Sequence, residues 1–279
     1  MALIVALAFS PACAQNQAQK HSTTNPLSKT DILTAADQTE AYISLLQGKK
    51  VGLIVNQTSE IEGVLLPDTL LKRGINIVRI FSPEHGFRGN ADAGAKVKSG
   101  IDEKTGLQVV SLYGNNKKPT ADQLKDIDVL VFDLQDVGVR FYTYISTLQY
   151  AMEACAENRK PIIVLDRPNP LGFMVDGPVM EKTYTSFVGM QAIPVVHGLT
   201  VGEYAKMLIG EKWLQSAAPE LTVIPCKNYT HRSIYRLPVS PSPNLKNMTA
   251  VYLYPPMCFF EGTVVSLGRG TDKPFLQFG

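Results

Sequence analysis

The sequence predicts an α/β protein: a Rossmann-like, doubly wound, mostly parallel sheet, with the start of a smaller C-terminal domain behind it. Short and almost uninterrupted apolar runs recur along the chain, as strands buried on both faces require. Helical patterns of apolar residues separate them, as parallel crossover connections require. Near Leu237 the composition changes, with Pro238, Pro241, Pro243, Pro255 and Pro256 ahead of Gly262, Gly268 and Gly270. That change marks a connector into a second unit.

In chain order, the apolar run Ala2 to Phe9 is followed by Ser10-Pro11-Ala12-Cys13-Ala14. Ala12 and Ala14 offer a small-residue cleavage site, so residues 1–14 read as a secretory leader, although no basic residue follows Met1. The protein is then expected in the periplasm or secreted; lipid attachment at Cys13 is the alternative, and Ser10 fits it poorly. The run is far shorter than the roughly 20 residues needed to cross a bilayer. Residues 15–30 are polar and read as a linker. Residues 31–240 form the predicted Rossmann-like domain. A helix is expected from Asp31 to Leu46, with Ile32, Ala35, Ala36, Ile43 and Leu46 on one face. Strands are expected at Val51–Val55, Ile75–Phe81, Leu107–Leu112, Val129–Phe132, Ile162–Leu165 and Leu221–Ile224. The clearest helices run over Thr143–Glu157 and Val201–Trp213. Residues 241–279 are the connector and the beginning of a C-terminal domain that the chain leaves truncated.

Composition removes several function classes. With 279 residues, 45% of them hydrophobic, the chain can bury a large core. Its 27 basic and 25 acidic side chains give a net charge of +2, scattered rather than clustered, which does not make a nucleic-acid footprint. Apart from Cys13, only Cys155, Cys226 and Cys258 occur, with no CxxC spacing. His21, His85, His197 and His231 show no paired ligand spacing. Neither GxGxxG nor GxxxxGK[ST] is present, so no nucleotide cradle is signalled. No metal and no cofactor are expected.

Ligands of parallel sheets bind beyond the carboxyl ends of the strands, and here those positions are polar. Asn56-Gln57-Thr58 follows the first run, Ser82-Pro83-Glu84-His85-Gly86-Phe87-Arg88-Gly89 the second, and Tyr113-Gly114-Asn115 the third. Asp133-Leu134-Gln135-Asp136-Val137-Gly138-Val139-Arg140 and Asp166-Arg167-Pro168-Asn169-Pro170 end the next two. Each has a plain structural alternative. Glu84 could open a helix, Asp133, Asp136 and Arg140 could be an internal ion-pair network, and the Asp166 segment could be a rigid turn. His197 has no nucleophile beside it in sequence. Their convergence on one edge is what points to a polar ligand. Carboxylates without GxSxG, a metal cluster or a nucleophilic cysteine suit acid/base work, and glycosidic cleavage needs little else.

The same stretches, with Phe141-Tyr142-Thr143-Tyr144, Pro241-Ser242-Pro243-Asn244-Leu245 and Phe260-Glu261-Gly262-Thr263, resemble in order the NamZ-like exo-β-N-acetylmuramidases. These glycoside hydrolases remove terminal N-acetylmuramic acid from peptidoglycan fragments. The resemblance implies a Rossmann-like domain joined to a smaller C-terminal one, a cleft between them, and Glu84 as the favoured catalytic residue. It also implies two departures. Ser266-Leu267-Gly268-Arg269-Gly270-Thr271 lacks the acidic residue many relatives carry in this stretch, and most of the C-terminal domain lies beyond Gly279.

The resulting expectation is an exported exo-acting glycosidase whose partners are peptidoglycan-derived muramyl saccharides. Glu84, beside His85, is the general acid. Asp136, Glu261 or the substrate's own N-acetyl oxygen is its partner. Arg140 and Arg167 are candidates for the lactyl carboxylate, since a guanidinium forks onto a carboxylate. Asn56, His85, Tyr142, Asn169 and Asn244 would hold hydroxyls or the amide. The rivals are a non-catalytic cell-wall sugar-binding protein and a hydrolase of another envelope bond.

Overall fold

The segment Val129–Asp133 shows why the chain builds a covered sheet. Val129 and Val131 enter one apolar cluster while Leu130 and Phe132 enter the other, the period of two that sends successive side chains to opposite faces. Neither face is polar, so both must be covered. The computed structural model describes residues 32–84, 86–88 and 99–279; the expected leader, the linker and His85 lie outside them.

Nine strands occur among the described residues: β1 (Lys50–Val55), β2 (Glu60–Ile61), β3 (Val64–Leu65), β4 (Asn76–Ser82), β5 (Gly100–Ile101), β6 (Gln108–Ser111), β7 (Val129–Asp133), β8 (Ile162–Leu165) and β9 (Leu221–Ile224). Seven form one sheet in the order β5-β6-β4-β1-β7-β8-β9, and β2 and β3 pair separately. Within it only β5 runs antiparallel to its neighbour. The strand order reverses at β1, so chain crossovers cover both faces. The helices are α1 (Ile43–Leu46), α2 (Leu66–Lys72), α3 (Ala121–Leu124), α4 (Tyr144–Glu157), α5 (Val201–Gly210) and α6 (Met248–Met257). Leu46 of α1 and Leu66 and Leu70 of α2 join the cluster of Val129 and Val131. Leu148 and Met152 of α4, Leu208 of α5 and Val251 of α6 join that of Leu130 and Phe132. The α/β class and the six principal strands agree with the sequence reading.

Three local expectations are corrected. No continuous helix runs up to Leu46; a 3₁₀ turn over Thr39–Ala41 and the single turn α1 replace it. Tertiary bonds take the backbone groups a helix would need: Leu33 pairs with Lys227, and Ala35 donates to the Asp166 carbonyl at 2.9 Å. The Thr34 N–H and hydroxyl both donate to the Asp37 carboxylate at 2.8 Å, closing a local turn that competes with helix. Second, α5 stops at Gly210 rather than Trp213, because the chain turns off through Lys212 at φ 57°. Its start carries a capping box, with Glu203 N–H on the Thr200 hydroxyl and Thr200 N–H on the Glu203 carboxylate. Third, the proline-rich connector contains a helix. Asn247 caps α6 by accepting from Ala250 N–H at 3.0 Å, and Pro255 and Pro256 fall in its last turn. Residues 32–279 form one compact unit, and Leu245, Tyr254, Leu267 and Phe275 enter the same cluster as α4 and α5.

Candidate active site

Register decides which residues meet. Val55 lies opposite Asp133 and Ser82 opposite Ser111, so Asn56, Glu84, Tyr113 and Asp136 all follow strand ends on one edge of the sheet, as Asp166 does after β8. Glu84 and Tyr113 stand two residues past a registered pair. Their side chains meet there: the Tyr113 hydroxyl is hydrogen-bonded to Glu84, and partial burial followed by that carboxylate pushes the phenol up.

The loop that presents Glu84 is anchored on either side. Pro83 accepts from Gly86 N–H at 3.3 Å, with Gly86 at φ 78°, a conformation that suits glycine. Phe87 is buried, and Arg88 forks onto Asp102 with two bonds of 2.7 Å. These bonds hold the Asp102 carboxyl at about 2, from an ordinary 3.8, against its burial, with Thr105 adding a third donor. A depressed carboxyl stabilises the fold fully above its unfolded value and loses that contribution as pH falls through its folded value. Asp102→Asn is therefore expected to cost about 2 kcal/mol at neutral pH and to flatten stability between about pH 4 and 2. Urea midpoints measured across that range check it; an unchanged acid limb refutes the clamp.

Glu84 is half-buried and lines a cavity of about 60 Å³ together with Tyr142, Thr143, Tyr144, Ser242, Leu245, Tyr254, Arg269 and Phe275. Ligand pockets commonly enclose ~300–1,000 Å³, so this space admits a reacting group rather than a whole sugar ring. The loop from Pro241 reaches it through two donors on one carbonyl: Gln57 Nε2 (3.2 Å) and the Tyr142 hydroxyl (2.7 Å) both bond Pro241 O. Leu245 N–H then returns to Ser242 O at 3.0 Å, and Asn244 N–H donates to Ser242 Oγ at 3.3 Å. Asn244 does not line the cavity; its neighbours Ser242 and Leu245 do. Tyr142 and Tyr144 meet edge to face with centroids 4.8 Å apart. Burial holds both phenols well above their ordinary range.

Several expected ligand-binding residues serve the frame instead. Asn56 is fully buried; its Nδ2 donates to the Tyr144 hydroxyl at 2.7 Å, and its Oδ1 accepts from Thr58 N–H and hydroxyl. It therefore positions a cavity residue without touching the cavity. Asn169 donates to Leu199 O at 2.9 Å and accepts from Leu171 N–H at 2.8 Å. Arg140 donates to the carbonyls of Pro178 (2.9 Å) and Ile193 (2.5 Å), and burial lowers its pKa. Arg167 forks onto Asp133 with bonds of 2.5 and 2.9 Å, and neither side chain is more than 2% exposed. Neither arginine lines the cavity.

Asp136 is enclosed. Its Oδ2 accepts from Gly138 N–H at 2.6 Å, while Oδ1 has no hydrogen-bond partner. His197 Nδ1 accepts from Leu199 N–H, which places the ring proton on Nε2; that atom lies 3.6 Å from Asp136 Oδ2, beyond a hydrogen bond, and has no partner. Glu261 is outside the cavity lining but pairs with Arg269, Oε1 to Nε at 2.8 Å. Among the described residues no group of three or more His, Cys, Asp and Glu is placed to hold a metal ion.

Gly138 is the backbone pivot of this edge. It sits at φ 80°, and a Cβ there would lie 2.2 Å from Asn169 Oδ1. Gly138→Ala is expected to destabilise the protein by about 3 kcal/mol through strain and overpacking. Guanidinium unfolding tests it; a loss below about 1 kcal/mol would show that the turn can relax.

Sequence reasoning placed Tyr113, Thr143, Tyr144, Ser242, Leu245 and Arg269 within its motifs without assigning them to the site, and it did not point to Tyr254 or Phe275 there. Tyr113 was legible from the strand-end rule alone, since it follows β6 as Glu84 follows β4. Arg269 and Phe275 come from a segment whose fold has no periodic signal, and only packing brings them in.

Comparison with known proteins identifies the relatives of this chain. Residues 51–249 match the family model for the N-terminal part of exo-β-N-acetylmuramidase NamZ, and residues 252–279 match the one for its C-terminal part. The chain is 46% identical over 252 residues to the peptidoglycan β-N-acetylmuramidase NamZ of Bacillus subtilis (strain 168), covering 85% of this chain and 58% of that relative's length. The chain thus spans less than two thirds of the curated relative it matches. Two crystal structures of DUF1343 family proteins from Bacteroides fragilis NCTC 9343 share the fold. One has a TM-score of 0.82 at 50% identity, covering 90% of this chain and 67% of its own. The other has a TM-score of 0.79 at 40% identity, covering 88% and 65%. A matched family model over most of the chain, 46% identity over 252 residues and a shared fold leave one assignment: the chain belongs to the exo-β-N-acetylmuramidase NamZ family.

Proposed function

We propose that the protein is an exo-acting glycoside hydrolase that releases terminal N-acetylmuramic acid from peptidoglycan fragments. The observation that carries this reading is Glu84, a carboxyl group presented into a cavity walled by Tyr142, Tyr144, Tyr254 and Arg269 in a chain 46% identical to a peptidoglycan β-N-acetylmuramidase. Glu84 is the general acid. It gives its proton to the glycosidic oxygen as the bond from that oxygen to the anomeric carbon breaks, and water supplies the hydroxyl that replaces the leaving group.

The partner group is the substrate's N-acetyl oxygen. Asp136 is enclosed behind the cavity wall, and Glu261 is held by Arg269, so neither carboxylate reaches the anomeric carbon without rearrangement. Attack by the acetamide oxygen needs no second protein carboxylate. The protein acts outside the cytoplasm, as the leader at residues 1–14 implies, and N-terminal sequencing of the exported form should begin near Gln15.

The deciding experiment is release of nitrophenolate from para-nitrophenyl N-acetyl-β-muramide, with muramic acid identified in the product. Turnover is the expected result. Binding of the sugar without turnover would make the protein a cell-wall sugar-binding module, and release of an acyl group instead would make it an esterase.

A further inference from the structure

Arg88, Arg140 and Arg167 all bond groups of the protein itself. Arg88 is forked onto Asp102 and Arg167 onto Asp133, while Arg140 Nη1 donates to two main-chain carbonyls. Arg269 differs. Its side chain is 50% exposed and lines the same cavity as Glu84. Acid and guanidinium thus share one space, and Tyr113, which bonds Glu84, lies within reach of the Arg269 charge. The ion pair with Glu261 uses Nε. A guanidinium carries five N–H donors, so four remain while the Glu261 contact and the Phe275 ring, 5.7 Å from Cζ, hold the group in place.

We propose that Arg269 recognises the lactyl carboxylate of muramic acid and so sets the preference of the site for muramyl over glucosaminyl sugars. The proposal rests on the muramidase reading above and names the residue that makes it selective. The two sugars differ by the lactyl ether at O3, which adds one carboxylate. A fixed guanidinium with spare donors beside the catalytic carboxyl can bind that group through paired, charge-assisted bonds. Arg167 cannot do so without abandoning its buried partner Asp133, and Arg140, although its Nε is without a partner, does not line the cavity.

The test compares para-nitrophenyl N-acetyl-β-muramide with para-nitrophenyl N-acetyl-β-glucosaminide, which lacks only the lactyl group. Arg269→Met should lower kcat/KM on the muramide by roughly 10- to 100-fold, chiefly through KM. The glucosaminide rate should move less than about threefold, so the preference collapses. Arg269→Lys should recover part of it, because charge is kept while the fork is lost. Equal losses on both substrates would show that Arg269 only supports Glu261, and an unchanged preference would show that it takes no part; either overturns the proposal. If the parent hydrolyses neither substrate, the muramidase reading fails separately. Calorimetric binding of N-acetylmuramic acid against N-acetylglucosamine then decides this one: an Arg269-dependent preference for the acid sustains it, and no preference ends it.

Discussion

Glu84→Gln is expected to lower turnover of a natural muramyl disaccharide by on the order of 10²- to 10⁴-fold while leaving its binding intact. The amide keeps the shape of the carboxyl and can still bond the Tyr113 hydroxyl, but it has no transferable proton. Because the lost interaction exists only in the transition state, kcat and kcat/KM should fall together. The dependence on leaving group supplies the control. Nitrophenolate departs with little protonation, so the deficit should shrink on the nitrophenyl glycoside. A uniform loss on both substrates would point to misfolding, and full activity on the disaccharide would leave Glu84 structural, with Asp136 or Glu261 inheriting the acid role.

How much of this was legible before folding depends on the range of the forces involved. The sheet was, because burial on both faces forces near-continuous apolar runs, and Val129–Phe132 or Ile162–Leu165 admit little else. The edge was also legible, because parallel strands aim their carboxyl ends one way. What the one-dimensional pattern could not separate was a polar residue facing a ligand from one holding its neighbours. Asn56, Asn169, Arg140 and Arg167 have the chemistry of sugar-binding groups, yet each is spent on a hydrogen bond or ion pair fixed by residues 2 to 88 positions away. The helix expected before Leu46 failed for a related reason: an amphipathic pattern was outcompeted by pairing with Lys227 and Asp166. Arg269 shows the converse, a functional candidate without periodic signal whose place beside Glu84 comes from the packing of Leu267 and Phe275 into the main core.

The largest stability effect is expected from Arg167, whose guanidinium forks onto the buried Asp133. Asp133 is fully buried at the end of the central strand β7; burial pushes its carboxyl up, and the guanidinium beside it pulls it back. Arg167→Met would leave that carboxyl without its counter-ion, and breaking one side of a buried pair costs about 3–5 kcal/mol, a large share of the ~5–15 kcal/mol that holds a domain folded. The sign of the pH dependence then follows. With Arg167 gone, the folded state binds the Asp133 proton more tightly than the unfolded chain, whose carboxyl titrates near 3.8, so the variant should regain stability as the pH is lowered toward that value. The double variant Arg167→Met/Asp133→Leu removes both charges and should recover most of the loss, since a well-packed apolar pair often matches a buried ion pair. Guanidinium unfolding of the parent and both variants distinguishes the cases. A single variant within about 1 kcal/mol of the parent would mean that water reaches Asp133, and a double variant no better than the single one would mean that the fork itself, rather than its charge balance, holds the ends of β7 and β8 together.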